Sequence, residues 1–427
     1  MQFKSLFAVA ALSVFAVANN STLTTATPSV SSGCSFSDFT ATENGQVQSV
    51  QACATAVGDV FISGSNIDQI DLTGVREFYG DLKINGTKAT VFNAPDLQLV
   101  SGELSVSQST LLGTANLAQL TTVGTLNFDG LPSLEKTGLA SGITSAESIT
   151  ISNTGLHSLD GINVYKLKVF DVNNNADIES IDSALQSVTD LLQINYNADK
   201  VEVVLDELTS ANDVVFEKIS SLSTANLTSI NGSLSISKNS FDSFEFKELT
   251  QIGKSLSINE NDELEEFDFP KLKSIGGALN ILDNEKLKSF SYFPKLETIG
   301  GSVNIDGDFD NGTFPEINRI SGGFNLSTSG DLSCDDFTKL NSNGDVRGDK
   351  FYCRGASSTV SSSSSKSGNS NGESTSSGGS GSGSGSGSDS TSTSSGSSAA
   401  GIAGVSTSLV LLVTFVLAFS GVGVAMY

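Results

Sequence analysis

A three-residue pattern, apolar–any–apolar, recurs thirteen times between Val60 and Phe324. Steps between copies run from 20 to 24 residues and average 22. The plainest pair is IGGALNI at 275–281 and IGGSVNI at 299–305. A fixed period of this size predicts a solenoid, in which no repeat buries its apolar face alone and stacked neighbours share one core. In each copy the outer two residues face inward and the middle one outward, as in a short strand. A second apolar set follows, such as Leu264, Phe267, Phe269 and Leu272, then Leu287, Phe290, Phe293 and Leu296 one repeat later. Spacings of two and three suit short strands and turns rather than a long helix. Pro270 and Pro294 fall at corners, where a missing N–H does no harm. The expected fold is mainly β, a right-handed parallel β-helix or leucine-rich-repeat-like solenoid of about thirteen coils.

Two polar signals accompany the repeat. Asn175, Asn197, Asn239, Asn261 and Asn284 each stand three residues beyond the last inward position. Stacked there, their amides would pair backbone groups of the turns, which makes them structural. Gly80, Gly102, Gly124, Gly253, Gly276 and Gly300 precede strands and mark a turn expected to need unusual backbone angles. They are no phosphate loop, because a strand follows where such a loop needs a helix.

A solenoid needs caps, since its end strands are otherwise open. Cys34 and Cys53 precede the first coil, Cys334 and Cys353 follow the last, and each pair is 19 apart. Four cysteines permit three pairings. In a secreted chain the two local ones are favoured, since a crossed bridge would have to reach along the whole stack. Each local bridge is worth about 3 kcal/mol.

The chain ends read as targeting segments. Residues 1–18 combine a basic start, an apolar run and the small-residue pattern Ala16-Val17-Ala18, the mark of a secretory signal. From Leu409 to Tyr427 the chain is apolar, with small residues and a spacer upstream. That is the glycosylphosphatidylinositol (GPI) signal, with Ser398 as the expected ω-site and Gly396, Ser397 and Gly401 as close rivals. A transmembrane helix is the alternative, though no Lys or Arg follows to anchor it. Residues 356–398 collapse to Ser, Gly and Thr, composition too poor in apolar groups to fold and rich in O-glycosylation sites. The expected order is signal peptide 1–18, N-terminal cap 19–59, solenoid 60–332, C-terminal cap 333–355, stalk 356–398 and GPI propeptide 399–427.

Function is bounded by what is scarce. With 47 acidic against 23 basic residues, the chain lacks the basic patches that nucleic acid or anionic lipid requires. There is no Trp, and His157 is the single imidazole, without a Ser or Cys marked for activation. Asp335-Asp336 and the alternating Asp306, Asp308 and Asp310 lack matching basic partners, so neither reads as a catalytic or calcium site. Arg76, Glu77 and Tyr79 are placed together on a loop as solvated residues. No cofactor motif is present. The outward middle residues give a polar, mostly neutral face on which Ser105, Asn127, Thr150, Asp171 and Gln193 are the candidate binding residues. Sequons stand at Asn85, Asn226, Asn231, Asn311 and Asn325, with Asn19 and Asn20 at the expected mature start. A glycan at Asn325 would obstruct the C-terminal end of that face.

These features together resemble a known family. The residues that carry the likeness are LTQIGKSLSINENDEL (249–264), VFDVNNNADIESIDSALQSV (169–188) and SCDDFTKLNSNGDVRGDKFYC (333–353). The chain looks like the fungal GPI-anchored cell-wall organisation proteins related to the sporulation-specific wall proteins. Their ectodomain is similar to the receptor L-domain. The four-residue step from Ile275 to Leu279 and the three-residue step from Asn284 to Leu287 favour that variant over a helix-bearing horseshoe. The resemblance implies a non-enzymatic role in wall integrity, morphogenesis and mannoprotein layering, and brings no catalytic residue with it. Expected partners are the GPI lipid, membrane or wall glucan, N- and O-linked glycans, and a wall polysaccharide or mannoprotein. The alternatives are a receptor-like ligand binder and a carbohydrate-active enzyme. The expected location is the cell surface, at the plasma membrane or linked to wall glucan.

Overall fold

The computed structural model describes residues 26–356 and 358–363. The leader, Asn19 and Asn20, the segment from 364, Ser398 and the apolar tail lie outside these residues. All thirteen triplets are strands, stacked in parallel from Val60–Ser63 through to Phe324–Thr328. Register sets like on like: Leu256 beside Leu279 and Ile258 beside Ile281, then Val303 and Ile305 on the next rung. Alternation is clean, since the inward residues of each strand are buried and the middle ones lie outside. The second apolar set makes further short parallel ladders. Examples are Ile70–Asp71 with Val91–Asn93, and Ser243–Glu245 with Glu266–Asp268.

One continuous core runs through the coils. Toward the C-terminal end it is aromatic. Phe246, Phe269 and Phe293 stack at 5.3 and 5.4 Å with rings within 10° of parallel. Phe244 lies 5.6 Å from Phe267 in the neighbouring column.

The corner after the face strand is held by a buried amide ladder. Asn261 Nδ2 donates to Asn284 Oδ1 (3.0 Å) and to the carbonyls of Ile236 and Asn259, both at 3.1 Å. Its Oδ1 accepts from the Asn239 backbone N–H and Nδ2. Asn175 and Asn197 repeat the arrangement. Each amide thus answers turn groups that the strand ladder leaves over, with almost no access to water. Thr87, Ser109 and Thr154 take the same position in earlier coils, while Leu131 and Ile219 interrupt it.

The glycines before the strands serve a different purpose from the one expected. Only Gly80 has a left-handed φ, at 149°. The others are required by close stacking. A Cβ on Gly276 would lie 2.1 Å from the Gly253 carbonyl oxygen, and one on Gly300 would lie 2.1 Å from that of Gly276. Successive turns nest so tightly that any side chain would push the rungs apart.

Both ends are closed by cap structure that also extends the sheet. At the N-terminal end, strand Phe39–Ala41 pairs with Val60–Ile62. Helix α1, Asn44–Gln51, lays Val47 and Val50 against the first coil; its capping box joins Glu43 and Gln46. Cys34 is bonded to Cys53. At the other end, helix α2, Asp335–Asn343, sets Phe337 5.3 Å from Phe324, and Cys334 is bonded to Cys353. Strand Lys350–Arg354 then stacks on Phe324–Ser327.

The expectation that an unstructured linker begins at 356 is corrected here. Residues Thr359–Ser363 form a strand running antiparallel to Lys350–Arg354. Its side chains are exposed apart from half-buried Val360, so backbone pairing accounts for it. That pairing covers the last edge of the parallel sheet, which would otherwise offer free N–H and C=O groups. Arg76, Glu77 and Tyr79 are also placed differently from expectation. Glu77–Tyr79 is a strand between Thr55–Val57 and Leu99–Val100, not part of a loop.

Candidate binding face

The strand register brings the five expected face residues onto five successive rungs. Ser105 lies beside Asn127, Asn127 beside Thr150, Thr150 beside Asp171 and Asp171 beside Gln193. Rungs of a sheet repeat at about 4.7–4.9 Å, so the face offers polar groups at a fixed interval. The expectation that all five are open to solvent is corrected for Ser105, which is only 7% exposed. Lys83 beside it bridges Asp81 and Glu103, both at 3.0 Å, and Asn127 Nδ2 donates to the Ser105 hydroxyl at 3.2 Å. The other four are half-buried.

Much of this face is bonded to itself. Asn173 Nδ2 donates to Asp171 Oδ1 at 2.8 Å, and Asn173 Oδ1 accepts from the Ser152 hydroxyl at 2.7 Å. Asn304 Nδ2 donates to Asn280 Oδ1 at 2.8 Å, and Asn280 to Ser257 at 3.1 Å. Burial pushes the Asp171 carboxyl above its ordinary value, partly opposed by the Asn173 bond.

The structure adds a cluster that the middle-residue column omits. Just past the face strands, the Tyr196 hydroxyl donates to Glu217 Oε1 at 2.8 Å. Lys238 Nζ donates to the same oxygen at 2.9 Å, and Lys218 Nζ stands 5.1 Å from the Tyr196 ring centroid. The available signal was a tyrosine in the run NYN at 195–197, directly before the buried-amide position.

The remaining candidates separate. His157 is exposed and distant in sequence from any marked nucleophile. Asp335 and Asp336 open helix α2, where carboxylates favour the N-terminal dipole, and Asp336 pairs with Lys339 at 2.8 Å. Asp308 pairs with Lys288, and Asp310 Oδ1 accepts the Asp331 N–H at 3.1 Å. Among the described residues, no group of three or more His, Cys, Asp or Glu side chains could hold a metal ion. Four sequon asparagines, Asn226, Asn231, Asn311 and Asn325, are exposed. Asn85 is half-buried and its Nδ2 donates to the Ser107 hydroxyl at 2.7 Å.

Comparison with known proteins places the chain. It is 39% identical over 336 residues to the cell surface GPI-anchored protein ECM33 of Candida albicans, covering 78% of this chain and 81% of that one. It is 37% identical over 311 residues to the cell wall mannoprotein PST1 of Saccharomyces cerevisiae, covering 72% and 69%. With the cell wall protein ecm33 of Schizosaccharomyces pombe it shares 34% over 337 residues, covering 78% and 79%. No family model matches the chain, and no solved structure does. The chain belongs to the family of fungal GPI-anchored cell-wall proteins that includes ECM33 and PST1.

Proposed function

We propose that this protein is a non-enzymatic scaffold of the fungal cell surface, held by a GPI anchor and serving the organisation of the wall. The observation that carries the reading is the sheet face. It is a long array of amide and hydroxyl groups at one spacing, bonded mainly to one another, in a chain whose relatives are named as cell-surface and cell-wall proteins. Such a face presents a fixed surface and activates nothing. Its outward residues Asn127, Thr150, Asp171 and Gln193 are the ones to meet a wall glucan or mannoprotein.

Anchoring at Ser398 fits this role, because the Ser/Gly/Thr segment then spaces the solenoid from its attachment point. Of the sequons, Asn226, Asn231, Asn311 and Asn325 are the better acceptors. A glycan on Asn85 Nδ2 would displace its bond to Ser107.

Deletion of the gene in its host fungus tests the reading. The expected result is hypersensitivity to wall-binding dyes, restored by the full chain and not by a chain with Ser398 and its neighbours blocked as anchor sites. A wall of normal composition and resistance in the deletion strain would sink the proposal. Release by glucanase rather than by detergent would place the protein on wall glucan rather than on the membrane.

A further inference from the structure

The corner residue just past each face strand commonly has a left-handed backbone. Among the described residues, φ is 52° at Asn153, 56° at Asn174, 51° at Tyr196, 56° at Lys218 and 53° at Lys238. Amide and flexible side chains fill most of these positions, and Asn tolerates the conformation well. A bulky ring does not. Tyr196 is therefore a residue that the fold alone would not select, and it is also exposed, at 37%.

Its surroundings fix it in place. The Tyr196 hydroxyl and Lys238 both donate to Glu217 Oε1, and the Glu217 side chain is only 14% exposed. Both bonds fall on one oxygen, which leaves Oε2 to accept from a ligand. On the next rung back, Asn174 Nδ2 donates to Asn173 Oδ1 at 2.7 Å. On the strand that leads to Tyr196, Gln193 Nε2 lies 3.5 Å from Asn195 Oδ1. The outward Leu191 and Val215, half-buried, add apolar surface on the same rungs.

We propose that Tyr196, with Glu217, Asn174 and Asn195, is a sugar-stacking subsite for a neutral hexose polymer lying along the sheet face. This rests on the scaffold reading above and names its ligand class. A hexose offers one face of C–H bonds and a rim of hydroxyls. The face of the Tyr196 ring turned away from Lys218 matches the first, and amides with a carboxylate oxygen match the second. Charge selects against an anionic polymer. Glu217 and Lys238 cancel, and the net charge of −24 on the chain outweighs the one ammonium left at Lys218. The rung spacing of about 4.8 Å lets a linear polymer meet similar groups repeatedly.

The test uses the full chain, purified from its host in detergent, with laminarin, chitin oligomers, neutral mannan and phosphorylated mannan as probes in calorimetry. The expected result is saturable binding to a neutral probe. Tyr196→Asn supplies a residue suited to the left-handed turn, so the unfolding midpoint should hold or rise while affinity falls about tenfold. Tyr196→Phe keeps the ring and should fall between the two. Phe61→Ser, which removes the exposed aromatic near the N-terminal edge of the face, should leave affinity unchanged. Unaltered binding by Tyr196→Asn overturns the subsite, and loss of binding in Phe61→Ser moves it to the N-terminal end. Binding only to phosphorylated mannan overturns the ligand class. Absence of binding to every probe overturns the subsite as well, and a persisting wall defect in the deletion strain then leaves the scaffold reading intact.

Discussion

The coils up to Glu217 and those from Leu234 onward meet the same period with two kinds of packing. In the first group the strand often runs unbroken around the corner, as in Leu99–Ser107, Thr122–Leu131 and Ser187–Asn195, with register shifts marking the bend. In the second group it splits in two, as in Gln251–Ile252 then Leu256–Asn259, and from Ser274 on a glycine pair commonly fills the gap. The corner position past the face is Thr, Ser or Leu in the earliest coils and an unbroken Asn run from 239 to 284. Phe residues buried singly in the earlier core, such as Phe128 and Phe170, give way to stacked Phe. Glycines nest closely in both groups, but the later coils add stacked rings and a continuous amide run, whereas the earlier group holds the irregular surface around Tyr196. Regularity and candidate chemistry lie in different parts of one stack.

The largest break in this comparison should come at the glycine column. Gly276→Val forces side-chain atoms into the Gly253 backbone and should cost more than about 4 kcal/mol. Gly113→Ala, outside that column and with the nearest atom to a new Cβ 3.7 Å away, should stay within about 0.5 kcal/mol. Because coils of a solenoid need not unfold together, hydrogen exchange resolved by coil is the appropriate readout. Equal loss of protection from both variants would mean that close nesting does not set the cost at the glycine column.

Next in size is the aromatic column. Phe269→Leu loses stacked neighbours on both sides and should cost about 2 kcal/mol. Phe170→Leu, buried in the earlier coils with no aromatic pair among the described residues, should cost about 1 kcal/mol. A cycle with Phe246→Leu isolates the coupling, expected near 1 kcal/mol at Phe269. Coupling near zero would reduce the Phe column to ordinary burial.

Ile219 sharpens the contrast in the amide ladder. It stands between Asn197 and Asn239, and its own N–H already donates to Asn239 Oδ1 at 3.0 Å. Ile219→Asn would join the two ladder segments, so it should be neutral to within about 1 kcal/mol, although Ile219→Ala should cost about 2–5 kcal/mol. Urea unfolding of the two variants compares them directly. If Asn proves as damaging as Ala, the ladder gains nothing from continuity.

Periodicity made the inward residues legible, because every apolar triplet had to fill the same column whatever its neighbours. The Asn column was legible for a related reason: a buried amide beside a turn has few uses other than pairing backbone. The glycines were recognised by position and misread in cause, since backbone torsion and close approach of the next coil leave the same mark in a sequence. Ser105 shows another limit. Alternation tells that it points outward, but not that Lys83 and Asn127 close over it. Thr359–Ser363 was illegible because its place depends on an open strand edge and not on its own side chains. Tyr196 escaped notice for being outside the repeat's apolar and middle positions, where the pattern directs attention.

The smallest expected effect concerns acid behaviour, and it has opposite signs in two places. Asp171 has its carboxyl raised above 3.8 by burial in the face. The folded state then holds the proton more tightly than the unfolded chain, so this contribution is fully present below 3.8 and is lost as pH rises through the raised value. Asp206, away from the face, accepts from the Ser223 hydroxyl and the Ala225 N–H, which lower it below 3.8. Its contribution is present above 3.8 and is lost as pH falls through the lowered value. Asp171→Asn should therefore leave stability at neutral pH equal or slightly higher and remove the decline between 3.8 and the raised value. Asp206→Asn should lower stability at neutral pH and leave it unchanged in strong acid. Stability measured against pH for both variants separates a carboxylate confined by the sheet face from one held by a turn. Parallel curves for the two would mean that the face does not confine Asp171.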